Sequence, residues 1–174
     1  MFETCYTPYD VAHLLRHRYG LPVELTAARP TVVCGPRLDA VDMPATLGSL
    51  VLGVLNDRHI GPVVADPRGR RWTFLVTPPA PTNTEHARIL SAHGASVRAD
   101  GRRVMLPMSD HGFGWRWACE PRLGARRLPT GAAVSAALAH LAAADAPSEP
   151  TTDSPSREIS ARLRESYRIG IGRR

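Results

Sequence analysis

The sequence predicts an α+β fold, a mixed, hairpin-rich β-sheet covered by three or four helices. Short apolar runs joined by turn residues predict the sheet, and stretches whose apolar residues recur every three to four positions predict the helices. No repeat of fixed period runs through the 174 residues, which excludes a solenoid.

Residues 9–18 read as a first helix, stopped by Gly20 and Pro22. Residues 23–26, 31–34 and 38–41 are brief strands. Beyond Pro44 the period lengthens: Leu47, Leu50, Val51, Val54 and Leu55 have the spacing of a helix with one buried face. Asp42 is placed to cap that helix, because a carboxylate accepts hydrogen bonds from the free amides of a first turn, and proline is tolerated there. Residues 62–65 and 72–76 are joined by Asp66-Pro67-Arg68-Gly69, whose Asp, Pro and Gly occupy favoured positions of a type I turn. A second hairpin is expected from residues 96–99, Asp100-Gly101 and residues 103–106. Between the two hairpins, residues 83–93 read as a weakly amphipathic helix. Residues 113–119 alternate Phe, Trp and Trp with Gly, Arg and Ala, as a half-buried strand does. Residues 129–144 form an alanine-rich helix with Val134, Leu138 and Leu141 on one face.

These elements fill one domain, residues 1–144. Residues 145–156 contain three prolines among small polar and acidic residues and read as a flexible linker. Residues 157–174 carry six Arg and two acids, with Ile159, Leu163 and Tyr167 at helical spacing, and form a basic tail suited to an acidic protein partner. A helix of that length is marginal alone and needs a surface to fold on. The longest apolar stretch, residues 47–55, is far short of the ~20 residues of a membrane span. Met1 to Cys5 has no basic start and no following apolar run, so no signal peptide is expected. Cys5, Cys34 and Cys119 make neither a disulfide framework nor a zinc half-site, and a reducing cytoplasm is the expected compartment. His13 and His17 share a helical face without a further ligand pair and read as polar-face residues.

All 22 basic residues are arginine, as GC-rich coding produces, and the net charge of +6 permits attraction to DNA or RNA. Two groups of residues bear on chemistry. Asp39 and Asp42 resemble a metal-gripping carboxylate pair, but positions three apart on a continuous strand face opposite ways. The stretch from Leu106 to Trp117 sets Ser109, Asp110 and His111 in a loop beside two tryptophans, an arrangement able to meet phosphates and stack a base. A serine hydrolase is excluded by the absence of a Gly-x-Ser-x-Gly elbow and by the adjacency of Ser109, Asp110 and His111.

Gly61-Pro-Val-Val-Ala-Asp-Pro-Arg-Gly-Arg-Arg-Trp-Thr-Phe-Leu-Val, then Val97-Arg-Ala-Asp-Gly-Arg-Arg-Val-Met-Leu-Pro-Met-Ser-Asp-His-Gly and Trp115-Arg-Trp, resembles the N-terminal domain of bifunctional DNA primase/polymerases over residues 35–120, and small actinobacterial-type members of that kind in particular. The resemblance implies a primase/polymerase-like fold. In polymerising members it also implies an Asp-x-Asp/Glu pair, a strand-borne His and a third acid on a later strand. Here the pair is stretched to Asp39 and Asp42, the His strand reads Arg71-Trp72-Thr73-Phe74, and the third acid's place falls near Ser96. The expected function is therefore a non-catalytic, nucleic-acid-associated or regulatory module without cofactor. Arg68, Arg70, Arg71, Arg102, Arg103 and Arg116, with Ser109 and His111, are its expected nucleic-acid contacts. The alternatives are a Mg- or Mn-dependent nucleotidyltransferase built on Asp39, Asp42 and His111, and a protein-interaction adaptor acting through the tail.

Overall fold

The computed structural model describes residues 1–55, 60–78, 84–98, 100–109, 114–123 and 128–145. The linker beyond residue 145 and the tail at 157–174 lie outside the described residues, as do Asp110 and His111.

Helix α1 (Pro8–His17) starts at a capping box: the Thr7 hydroxyl accepts from the Asp10 amide, and the Asp10 carboxylate accepts from the Thr7 amide at 2.8 Å. Pro8 then fills a position where no amide donor is needed. Strands β1 (Val23–Thr26) and β2 (Arg29–Val33) form an antiparallel hairpin whose two-residue turn, Ala27-Ala28, runs at φ +48° and +57°. A right-twisted hairpin wants such a turn, and two alanines adopt it at a steric cost.

Strand β3 (Asp39–Pro44) pairs antiparallel with β5 (Arg71–Val76) along all six of its residues. It therefore extends past the expected end at Val41. Asp42 lies inside the strand, not at a helix cap; α2 (Ala45–Val54) has Pro44 as its N-cap residue and no side-chain cap. The buried face of α2 also differs from expectation. Gly48, Val51 and Leu55 face inward, while Leu50 is 56% and Val54 39% exposed. The cause is Trp72 of β5: a Cβ on Gly48 would lie 2.8 Å from its ring, so the helix turns its glycine toward the indole.

Strand β4 (Val63–Ala65) and β5 form the hairpin predicted. The Gly69 amide donates to the Asp66 carbonyl at 2.9 Å with Gly69 at φ +67°, and the Asp66 carboxylate accepts from the Arg70 and Arg71 amides. Helix α3 (Thr84–Ala92) follows. The second expected hairpin does not form. Strand β6 (Ser96–Val97) pairs with β3, whereas β7 (Arg103–Met105) pairs with β2. The Asp-Gly turn is present, but its flanking strands are captured by different neighbours: Gly101 donates to the Cys34 carbonyl, and Cys34 donates to that of Arg102. Strand β8 (Arg116–Cys119) pairs with β4 across a bulge, and all four of its residues are part-buried, so the expected alternation is blurred. Helix α4 (Gly131–Asp145) closes the described chain.

Among the described residues two antiparallel sheets result, of order β1-β2-β7 and β6-β3-β5-β4-β8, accompanied by four helices in an α+β fold. One core lies between a face of the larger sheet (Ala40, Val64, Leu75) and a layer made of α1 and the smaller sheet (Leu15, Val23, Val32, Val104), with Leu38 beside it. The second core covers the opposite face with α2, α3 and α4, around Val41, Met43, Phe74, Leu90 and Leu138.

Candidate functional site

Strand parity decides what surrounds each aspartate. On β3, Ala40 and Asp42 share the face toward the smaller sheet, and Val41 and Met43 the face toward the helices. Asp39 belongs to the latter parity, so Asp39 and Asp42 point to opposite sides of an unbulged strand. The position two before Asp42, where a same-face carboxylate partner would stand, is Ala40.

Register supplies the rest of the row. Asp42 lies opposite Thr73 on β5 and opposite Ser96 on β6, and beyond Thr73 come Val64 and Trp117. The Thr73 hydroxyl donates to Asp42 Oδ1 at 2.5 Å, and Arg98 Nη2 lies 2.8 Å from Oδ2 in an ion pair. Arg98 is held in reach because its amide donates to the Ala40 carbonyl and its Nη1 to the Arg103 carbonyl. Both carboxylate oxygens thus have partners, and the pair is substantially shielded, Asp42 being 14% and Arg98 27% exposed. Arg98 Nε and Trp117 Nε1 are buried without a hydrogen-bond partner. Thr73, Ser96 and Arg98 complete this row and were not singled out as site residues from sequence. Their signal is the pairing of strands distant in the chain, which local patterns do not carry.

Beneath the row lies Cys34, whose thiol is pushed up to about 11, first by burial and then by the negative charge of Asp39. It is a poor nucleophile there. Among the described residues no group of three His, Cys, Asp or Glu is placed to hold a metal ion. His13 and His17 stack with ring centroids 4.2 Å apart on the exposed side of α1.

The arginines expected to contact nucleic acid divide into two sets. Arg68 and Arg70 in the β4–β5 turn, Arg71 opening β5 and Arg116 opening β8 gather at one end of the larger sheet. Arg116 approaches the turn closely enough that a Cβ on Gly69 would lie 2.5 Å from its guanidinium. Arg102 and Arg103 stand at the other end, where β7 begins beside Val33 and Cys34. Ser109 lines a cavity at the first end, together with Arg29, Pro67 and Trp115.

The family model for bifunctional DNA primase/polymerase, N-terminal, matches residues 24–141. No curated protein and no solved structure matches the chain. The matched segment runs from β1 into α4, takes in both sheets and the whole row around Asp42, and spans more than half of the sequence; the chain belongs to the bifunctional DNA primase/polymerase N-terminal family.

Proposed function

We propose that this chain is a non-catalytic member of its family that associates with nucleic acid as a regulatory module. The observation that carries this reading is the closure of Asp42 by Thr73 and Arg98. A family member that transfers nucleotides would need two or three carboxylates to hold divalent metal, which would supply positive charge to the reacting phosphate. Here the donor set is wrong for that ion. One carboxylate faces the sheet interface, its same-face neighbour is Ala40, its cross-strand neighbours are Thr73 and Ser96, and a guanidinium already supplies the positive charge. A hard divalent cation would have to displace Arg98 and still find no second carboxylate in the row.

The remaining chemistry is attraction of phosphate. Arg29, Arg68, Arg70, Arg71 and Arg116 lie at one end of the two sheets. Backbone amides of the turn hold the Asp66 carboxyl below its usual range, outweighing the burial that raises it, so the one acid in that turn is already engaged. Guanidinium groups pair with phosphate through forked N–H donors, and displacing condensed counterions makes such binding fall with salt.

Two measurements test the proposal. Primer extension with magnesium or manganese is expected to yield no product; templated synthesis abolished by Asp42→Ala would overturn the non-catalytic reading. Filter binding to single-stranded DNA is expected to weaken as salt rises, with the logarithmic slope reduced by about 0.7 for each phosphate-contacting arginine removed. Binding absent at low salt, or indifferent to it, would overturn the nucleic-acid reading.

A further inference from the structure

A cavity of about 180 Å³, open to solvent, lies between the start of β2, the β4–β5 turn, the exit of β7 and the entry to β8. Its lining includes Arg29, Pro67, Met105, Met108, Ser109 and Trp115, and none of the Asp42 row. It is therefore separate from the place where the family's carboxylates would gather. Trp115 is part-buried and packs against the core, which gives the cavity one rigid aromatic surface. The thioethers of Met105 and Met108 add soft, polarizable walls that favour contact with a ring. Arg29 and Ser109 are exposed and supply a guanidinium and a hydroxyl at the same cavity. The volume lies below the roughly 300–1,000 Å³ of pockets for drug-sized molecules, so it admits one ring system, not a chain of them.

We propose that this cavity receives a single unstacked nucleobase, stacked on Trp115, with the adjoining phosphate held at Arg29. The choice of a nucleotide as ligand rests on the function proposed above; the placement rests on the cavity alone. A base within a duplex has its faces covered by its neighbours, so the ligand is a single strand or a free mononucleotide. No metal and no bond-making step is involved.

Fluorescence anisotropy with the full chain separates these statements. The probes are a labelled oligothymidine strand and an abasic strand of equal length. The expected result is about tenfold tighter binding of oligothymidine, the margin of one base–aromatic stack. Trp115→Ala should erase that margin and leave the abasic strand's affinity unchanged. Met108→Trp, which fills the cavity from a side chain already 37% exposed, should do the same with an unaltered melting temperature, so loss of fold in the first variant does not shield the proposal. Equal affinity of the wild type for both strands, or a margin that survives both substitutions, overturns the cavity as a base site. If the abasic strand then still binds in a salt-sensitive way, the general nucleic-acid reading stands; if neither strand binds, both fall. Displacement of the oligothymidine probe by thymidine monophosphate, lost in Trp115→Ala, assigns the free nucleotide as a ligand; absence of displacement beside an intact margin assigns the strand.

Discussion

Asp42 is gripped at two points, by Thr73 of β5 and by Arg98 just past the end of β6, and each contact has a measurable worth. Hydrogen bonds to a charged group contribute about 1.5–3 kcal/mol, and a shielded charge left without its partner costs more than the bond itself. Arg98→Met should therefore destabilise the fold by about 2 kcal/mol in denaturant melts, and Asp42→Asn by a similar amount. The double variant should cost less than the two singles together, because a neutral pair leaves no orphaned charge. Cys34 gives a pH dependence. Its thiol, 2% exposed, keeps its proton in the folded chain up to about 11, whereas the unfolded chain releases it near 9.0. The stability this group contributes is complete below pH 9 and is lost as pH rises through 11. Denaturation midpoints should decline across that window, and Cys34→Ala should flatten the decline.

Among the elements, the β1–β2 hairpin is the least comfortable. Its turn holds Ala27 and Ala28 in the left-handed region, where a Cβ meets the following carbonyl at about 1 kcal/mol per residue. Replacing the pair by Asn-Gly should stabilise the chain by about 1–2 kcal/mol with no change of register, read as a rise in melting temperature. Helix α2 sits at the opposite extreme, where room is the constraint. Gly48→Ala would press a methyl group onto the Trp72 ring and should destabilise, although alanine is the better helix former. The β4–β5 turn was legible in the sequence because its signal is local: Asp, Pro and Gly act within four residues. The β6 and β7 strands were misjudged for the opposite reason. Their Asp-Gly turn reads as a hairpin, yet β3 and β2, more than fifty residues upstream, take one strand each.

For the whole molecule, fold class and family were readable, since hairpins, helices and the motif run from Gly61 to Trp117 lie along the chain in order. The chemistry of the site was only half readable. Spacing gives Asp39 and Asp42 opposite parity only on a continuous strand, and the unbroken register of β3 against β5 is what meets that condition. What occupies Asp42 depends on register between strands whose residues are separated by 31 positions for Thr73 and by more for Arg98, and sequence spacing says nothing of that. The route of the chain between sheets has a mechanical result. The chain leaves β2 for β3 and β6 for β7 at the same end of the two layers, where Cys34 is bonded to Gly101 and Arg102. That end is tied twice, whereas at the opposite rim, where Arg29 and Met105 face Pro67 and Trp115 across the cavity, the side chains leave room for a guest. Amide hydrogens near this rim should exchange faster than those of Cys34 and Gly101, and a guest lodged in the cavity should slow them while leaving exchange at the tied end unchanged.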